Sequence, residues 1–196
     1  YLNTSSPYAR VVRVCLYEKE LMERTELCWC DPWAADSELL KITPLSRIPT
    51  LVTEGGEVLT ESLLIAHYLD AVGEAKLLPA DGLAETLALA GLGQGLMEAA
   101  FNVVIGRKHG GPGVDETLLG NRRLKAIERT LVTLEAHPSV LAGHTQRTLG
   151  AIVVAVALAY LSFRLPAFDW PNRFPRLQAW FAKVTECDSF ALTAFE

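Results

Sequence analysis

Apolar positions in the first seventy residues change spacing several times. Between Pro7 and Lys19, Val11, Val14 and Cys15, with Val12 and Leu16, recur three and four apart, which predicts a helix. Tyr1–Asn3 reads as the end of a strand and Glu26–Cys30 as a short strand. Ala35–Ile42 reads as a short helix. Thr50–Thr53 and Glu57–Leu59 are strand-like pieces on either side of Glu54-Gly55-Gly56, a hairpin turn signal. From Glu61 to Val72 the spacing is helical again, with Ile65, Leu69 and Val72 on one face. The predicted order is β-α-β-α-β-β-α.

The pattern changes after the breaker-rich stretch Pro79–Gly82, and from there every periodic segment is helical. One predicted helix runs from Leu83 to about Arg107 and another from about Glu116 to Ala136, separated by the glycine-rich Lys108–Gly113. Leu149–Phe163 is apolar throughout, about 15 residues, which is shorter than the roughly 18 that a membrane span needs. It reads as a helix buried on all sides. A last helix is predicted over Pro175–Glu186. The shift in composition predicts two domains, 1–78 mixed α/β and 79–196 all-α.

Charge narrows the function classes. Residues 1–78 carry 7 basic and 12 acidic side chains, and the remainder of the chain is balanced. An acidic half without a basic stripe argues against nucleic acid as a partner. Phosphate-cradling glycine loops, HExxH and GxSxG are all absent from the sequence. His67, His109, His137 and His144 have no metal-site spacing, so no metal is expected. Cys15, Cys28, Cys30 and Cys187 include no CxxC pair and read as reduced thiols of a cytoplasmic protein. The Asn3-Thr4-Ser5 sequon is discounted, because no export-signal pattern accompanies it.

Three short segments combine ordinary capping chemistry with a second use. In Ser5-Ser6-Pro7-Tyr8, serine before proline is a good helix N-cap. The same free N–H groups and hydroxyl would also hold an anionic sulfur, and each hydrogen bond given to a thiolate lowers the thiol's pKa. In Arg47-Ile48-Pro49-Thr50 the proline either ends a loop in trans or is cis. A cis bond would turn the Ile48 backbone outward, where an extended peptide could pair with it. In Thr60-Glu61-Ser62 the residues either cap a helix or recognise an α-amino-acid end, Ser62 holding the carboxylate and Glu61 the ammonium.

The order and spacing of these segments in SSPYARVVRVCLYEK, ITPLSRIPTLV and LTESLLIAHYLD resemble the soluble glutathione transferases, particularly bacterial and tau- and zeta-like serine-type members. RTLGAIVVAVALAYLSFR and PRLQAWFAKVTECDSF are similar to the family's later helices. The resemblance implies a thioredoxin-like domain that binds glutathione as co-substrate, and a helical domain contributing the site of a small apolar electrophile. It implies that Ser6, or Ser5 one position away, stabilises the glutathione thiolate. Ile48 ahead of Pro49 would pair with the cysteinyl part, Glu61 and Ser62 would hold the γ-glutamyl end, and Arg47 would lie near the glycyl carboxylate. Tyr8, Phe101 and Arg107 are the candidates for the second-substrate pocket. A detoxifying, cytoplasmic homodimer that binds neither membrane nor nucleic acid is the corresponding expectation. Other glutathione-dependent reactions (isomerisation, dehalogenation, peroxide reduction) and non-catalytic ligand binding remain open. One departure stands out: Thr148 is followed three residues later by Ala151, where family members often carry an aspartate that completes a capping box.

Overall fold

The structure, a computed structural model, describes residues 1–34 and 38–196. The chain forms two compact units, Tyr1–Asp81 together with Cys187–Glu196, and Gly82–Glu186.

In the first unit α1 (Pro7–Glu18) begins at the Ser6 N-cap with proline in the first turn, as the capping rules predict. Its apolar face buries Ala9, Val11, Val14, Cys15 and Leu16. Of the helix expected over 35–42, α2 (Glu38–Ile42) is helical, and the expected start at Ala35 lies outside the described residues. Strands β1 (Thr50–Val52) and β2 (Val58–Thr60) form the expected antiparallel hairpin, with Thr50 opposite Thr60 and Val52 opposite Val58. The turn closes through Gly56 at φ +90°, a conformation that glycine adopts freely. Helix α3 (Ser62–Val72) follows and buries Ile65, Ala66 and Leu69.

The two earlier strands are shorter than expected. Tyr1–Asn3 and Glu26–Cys30 meet in one parallel bridge, Leu2 with Trp29. Leu2 N–H donates to the Cys28 carbonyl at 3.1 Å and Cys30 N–H to the Leu2 carbonyl at 3.0 Å. Pairing stops there because Asn3 turns away to cap the next segment. Thr50 N–H donates to the Tyr1 carbonyl at 3.1 Å, so these bonds order the layer as 28–30, 1–2, β1, β2. Crossing from 1–2 to the parallel segment 28–30 uses α1, which makes this a thioredoxin-like unit.

A buried ion pair joins α1 to the end of α3. Lys19, whose side chain is fully buried, lies 3.1 Å from the Asp70 carboxylate. It also donates to the backbone carbonyls of Asp70 and Ala75. Asp70 also accepts from Leu77 N–H at 2.6 Å on its carboxylate and from Lys76 at 3.4 Å on its backbone carbonyl.

The last ten residues were expected to belong with the helical domain, but they pack on α1. Two arginines on α1 draw them there. Arg10 donates to the Phe190 carbonyl at 3.1 Å and stacks its guanidinium over the Phe195 ring at 4.5 Å. Arg13 donates to the Leu192 carbonyl at 3.1 Å. Ser189, on the short helix Asp188–Ala191, donates to Glu18 at 2.6 Å. Burial beside Arg13 lowers the Arg10 pKa to about 10, so its charge persists at neutral pH.

The second unit is helical throughout, as expected. It contains α4 (Leu83–His109), α5 (Leu118–Glu135), α6 (Pro138–Leu141), α7 (Leu149–Arg164), α8 (Trp170–Arg173) and α9 (Pro175–Val184). Helix α7 is the predicted all-apolar helix, and Leu149 through Leu158 are all buried. Thr148 still accepts from Ala151 N–H at 3.3 Å, so its own half of the capping box is kept without the aspartate. Helix α4 is long and apolar enough to cross a membrane by length and composition, yet within this unit its main neighbour is α7.

Gly93 permits that approach. A Cβ there would lie 2.7 Å from the Val154 backbone nitrogen and 2.9 Å from the Val153 carbonyl carbon. Backbone cannot step aside, so Gly93→Ala should force the helices apart and cost about 1–3 kcal/mol, less the roughly 1 kcal/mol that alanine gains over glycine in a helix. The expected result is a melting temperature lowered by a few degrees, read by circular dichroism.

Candidate active site

Three segments of the first unit carry the residues that the sequence singled out. At the start of α1, Ser6 is in extended conformation and its Oγ accepts from Ala9 N–H at 3.2 Å. Ser6 N–H in turn donates to Asn3 Oδ1 at 2.8 Å. Among the described residues nothing accepts the Ser6 hydroxyl proton, which leaves it free to donate to an anion at the positive end of α1. Ser5 is half-buried beside it but does not cap the helix. The role of Asn3 was not read from the sequence, where Asn-x-x-Ser looks like any turn.

The second segment is the turn before β1. The Ile48–Pro49 bond is cis, the sharper of the two readings of that proline. Thr50 Oγ1 donates to the Arg47 carbonyl at 2.7 Å and closes the turn. Ser46, at φ +47°, donates to the Pro32 carbonyl at 3.0 Å and anchors the loop from behind. Among the described residues neither the N–H nor the C=O of Ile48 takes part in a backbone hydrogen bond, so both remain for an added extended chain.

The third segment opens α3. Glu61 is its N-cap residue at φ +68°, ψ 117°, a region that side-chain-bearing residues rarely occupy and that costs of order 1–3 kcal/mol. Its carbonyl still accepts the first helical bond, from Ile65 N–H at 3.0 Å. The next hydroxyl, Ser62 Oγ, is buried without a hydrogen-bond partner. A strained backbone beside an unsatisfied buried hydroxyl is hard to explain as stability and marks the place where a polar ligand end would be satisfied. Glu61 is exposed and lies 3.5 Å from the exposed Arg47 guanidinium. An ion pair this exposed is worth little, so a ligand with both charges can replace it at small cost.

The remaining candidates are placed differently. Tyr8 is half-buried on α1 in the first unit, and Phe101 is half-buried on α4 in the second. Arg107 stands near the end of α4, where its guanidinium is held by Asp115 at 2.7 and 2.9 Å. It lines an open depression of about 540 Å³ with the loop Gly111–Glu116. Arg107 is thus explained as the clamp of that loop. The four cysteines are free, and burial pushes the Cys15 thiol up to about 12, which leaves it an inert core residue. Among the described residues no group of three or more His, Cys, Asp or Glu side chains is arranged to hold a metal ion.

A thioredoxin-like unit with a capped serine, a cis-proline turn and a Glu-Ser helix start, followed by a helical unit, defines a class. The glutathione S-transferase N-terminal domain family matches residues 5–72, and the glutathione S-transferase C-terminal domain family matches residues 117–183. The chain belongs to the glutathione S-transferase family.

Among individual proteins, it is 32% identical to the uncharacterized GST-like protein YibF of Escherichia coli K12, over 96% of this chain and 94% of that one. A glutathione transferase family member of Pseudomonas fluorescens Pf-5, solved with bound glutathione, superposes with a TM-score of 0.90 at 32% identity, over 100% of this chain and 98% of that one. A glutathione S-transferase of Methylobacillus flagellatus KT, solved with GSH bound, gives 0.89 at 26% identity, with the same coverage.

Proposed function

We propose that this protein is a glutathione transferase, with glutathione as co-substrate, no metal, and Ser6 as the residue that stabilises the thiolate. The observation that carries the reading is the Ser6 hydroxyl: it caps α1 through its oxygen while its proton remains unclaimed at a helix N-terminus. A free thiol has a pKa near 8.5 and is mostly neutral at pH 7 (about 3% ionised). One donated hydrogen bond and the partial positive charge of the helix both favour the ionised sulfur.

The remaining contacts are assigned by chemistry. The Ile48 N–H and C=O pair with the cysteinyl backbone of glutathione, as an added strand would. Ser62 Oγ and the N–H groups of the first turn of α3 hold the γ-glutamyl carboxylate. Glu61 accepts its ammonium and Arg47 reaches the glycyl carboxylate. The sulfur then attacks an electrophilic carbon. A C–S bond forms, the leaving group departs with its electron pair, and the thiol proton passes to solvent. The protein acts in the cytoplasm as a homodimer and removes reactive apolar electrophiles.

Ser62 provides a test in which affinity and stability move differently. Its hydroxyl is buried and unsatisfied, so Ser62→Ala should leave the melting temperature unchanged or raise it. Calorimetric titration with glutathione should show Kd rising about tenfold, the scale of one lost charge-assisted hydrogen bond. An unchanged Kd removes Ser62 from the site. Absence of any glutathione binding by the unmodified protein sinks the whole reading in favour of a non-catalytic role. Product analysis with alkyl and aryl halides, an isomerisable substrate and an organic peroxide separates conjugation from the other glutathione-dependent reactions.

A further inference from the structure

The link that leads from the strand layer into α1 has almost no backbone ties. Leu2 is the last residue before it to pair, through its bonds to Cys28 and Cys30. Among the described residues, no backbone N–H or C=O of Asn3, Thr4 or Ser5 takes part in a backbone–backbone hydrogen bond. One bond crosses the link, from Ser6 N–H to Asn3 Oδ1 at 2.8 Å.

Ser6 is therefore held unequally from its two sides. On the helix side its Oγ accepts from Ala9 N–H at 3.2 Å and its carbonyl accepts from Arg10 N–H at 3.0 Å. On the other side Asn3 alone holds it. The N–H of an N-cap residue has no partner inside its own helix. A capping box satisfies it with a Glu or Gln side chain at the third helical position, reaching back. Here that position is Ala9, which is fully buried and carries no polar group. Asn3 performs the same task from the preceding side, and so sets the direction in which the chain enters Ser6 at φ -78°, ψ 123°.

The acceptor is also neutral. A carboxylate in its place would set a like charge beside the sulfur proposed to lie at Ser6, and would make that sulfur harder to ionise. An amide oxygen orients the serine without opposing the thiolate.

We propose that Asn3 is a positioning residue, whose side-chain oxygen fixes the Ser6 backbone so that the serine hydroxyl is held toward the glutathione sulfur. Asn3 acts through Ser6 and touches neither sulfur nor electrophile. Small misplacements of a catalytic group are costly, so one supporting bond on an otherwise untied link carries weight. The role rests on the Ser6–glutathione reading, and a set of four proteins separates the failure of one from the failure of the other.

Wild type, Asn3→Ala, Ser6→Ala and the double variant are each loaded with glutathione, and the ultraviolet absorbance of the thiolate is followed against pH without any electrophile. Wild type should titrate below the free thiol's value of about 8.5. Asn3→Ala should titrate about half a unit to one unit above wild type, less than Ser6→Ala, because the hydroxyl is still present but no longer held. The Kd for glutathione, measured at a pH where the sulfur is neutral in both, should not change, since Ile48, Glu61 and Ser62 are untouched. Asn3→Ser, which keeps a neutral acceptor, should reverse most of the shift.

The double variant tells positioning from plain stability. In the Ser6→Ala background the hydroxyl is gone but the backbone N–H that Asn3 satisfies remains. Asn3→Ala should therefore lower the melting temperature in both backgrounds and move the titration only where Ser6 is present. A wild-type titration in Asn3→Ala, or an equal shift in both backgrounds, overturns the positioning role while leaving Ser6 in place. A Ser6→Ala protein that titrates like wild type, or a wild type that binds no glutathione, overturns the Ser6 reading and the role of Asn3 with it.

Discussion

Ser6→Ala is expected to lower kcat/KM for conjugation at pH 7 by about 10²-fold, the lower end of what removing one preorganised donor to a developing or resident anion costs. Two effects of the substitution must be told apart. The Ser6 side chain accepts from Ala9 N–H, so its loss also removes a helix cap, at about 1 kcal/mol of stability. That cost lowers the melting temperature slightly, but it does not move a pH profile. The chemical loss does. With no hydroxyl to stabilise it, the bound thiolate forms only at higher pH, so the rising limb of kcat against pH should shift upward by about one to two units. Ser6→Thr keeps both the cap and the donor and should retain most activity. A wild-type pH profile in Ser6→Ala would take thiol activation away from this residue, whatever happened to stability.

The largest stability effect is expected at Asp70. Lys19 is fully buried and Asp70 is its carboxylate partner. Asp70→Ala leaves an ammonium without its counter-charge and the Leu77 N–H without its acceptor, at a cost of about 3–5 kcal/mol. Asp70→Leu combined with Lys19→Met removes both charges and should recover most of that, which chemical denaturation of the single and double variants would show. The pair also has a pH signature. Burial tends to raise the Asp70 pKa, but the Leu77 N–H and Lys19 together outweigh it and hold the carboxyl below its ordinary value. A carboxylate depressed in the folded state stabilises the fold at pH values above about 4, and that contribution fades as the pH falls through the lowered pKa. Wild type should therefore lose stability below about pH 4 more steeply than the double variant. Equal acid sensitivity would place the acid-labile group elsewhere.

What could be read in the chain was what local chemistry dictates. Ser6-Pro7 announces a helix start because capping and the fixed φ of proline act within a few residues, and α1 begins there. The hairpin around Gly55-Gly56 and the all-apolar α7 are likewise local patterns that tertiary structure left alone. The two short first strands were legible only as β-like composition. Their reduction to a single Leu2–Trp29 bridge depends on Asn3 leaving the layer to hold Ser6.

The harder features are long-range. Arg10 and Arg13 sit where the helical pattern expects apolar residues or a solvated edge, and their carbonyl partners lie about 180 residues further on. No spacing rule reaches that far. The φ of Glu61 and the partnerless Ser62 hydroxyl are properties of packing around α3, invisible in the letters Glu-Ser. Trp29 behaves likewise: the strand-like pattern of Glu26–Cys30 does not say which side chains it buries, and the fold leaves Trp29 half-exposed.

The clasp of residues 187–196 on α1 also constrains how the protein comes into being. On the ribosome, residues 1–81 emerge before the helical unit, yet the outer face of α1 stays uncovered until residues 187–196 have been made. The opening unit therefore finishes folding last, after the helical insert between its two parts has already had time to form. A nascent chain stalled at residue 186 would carry a completed helical unit and an unfinished thioredoxin-like one.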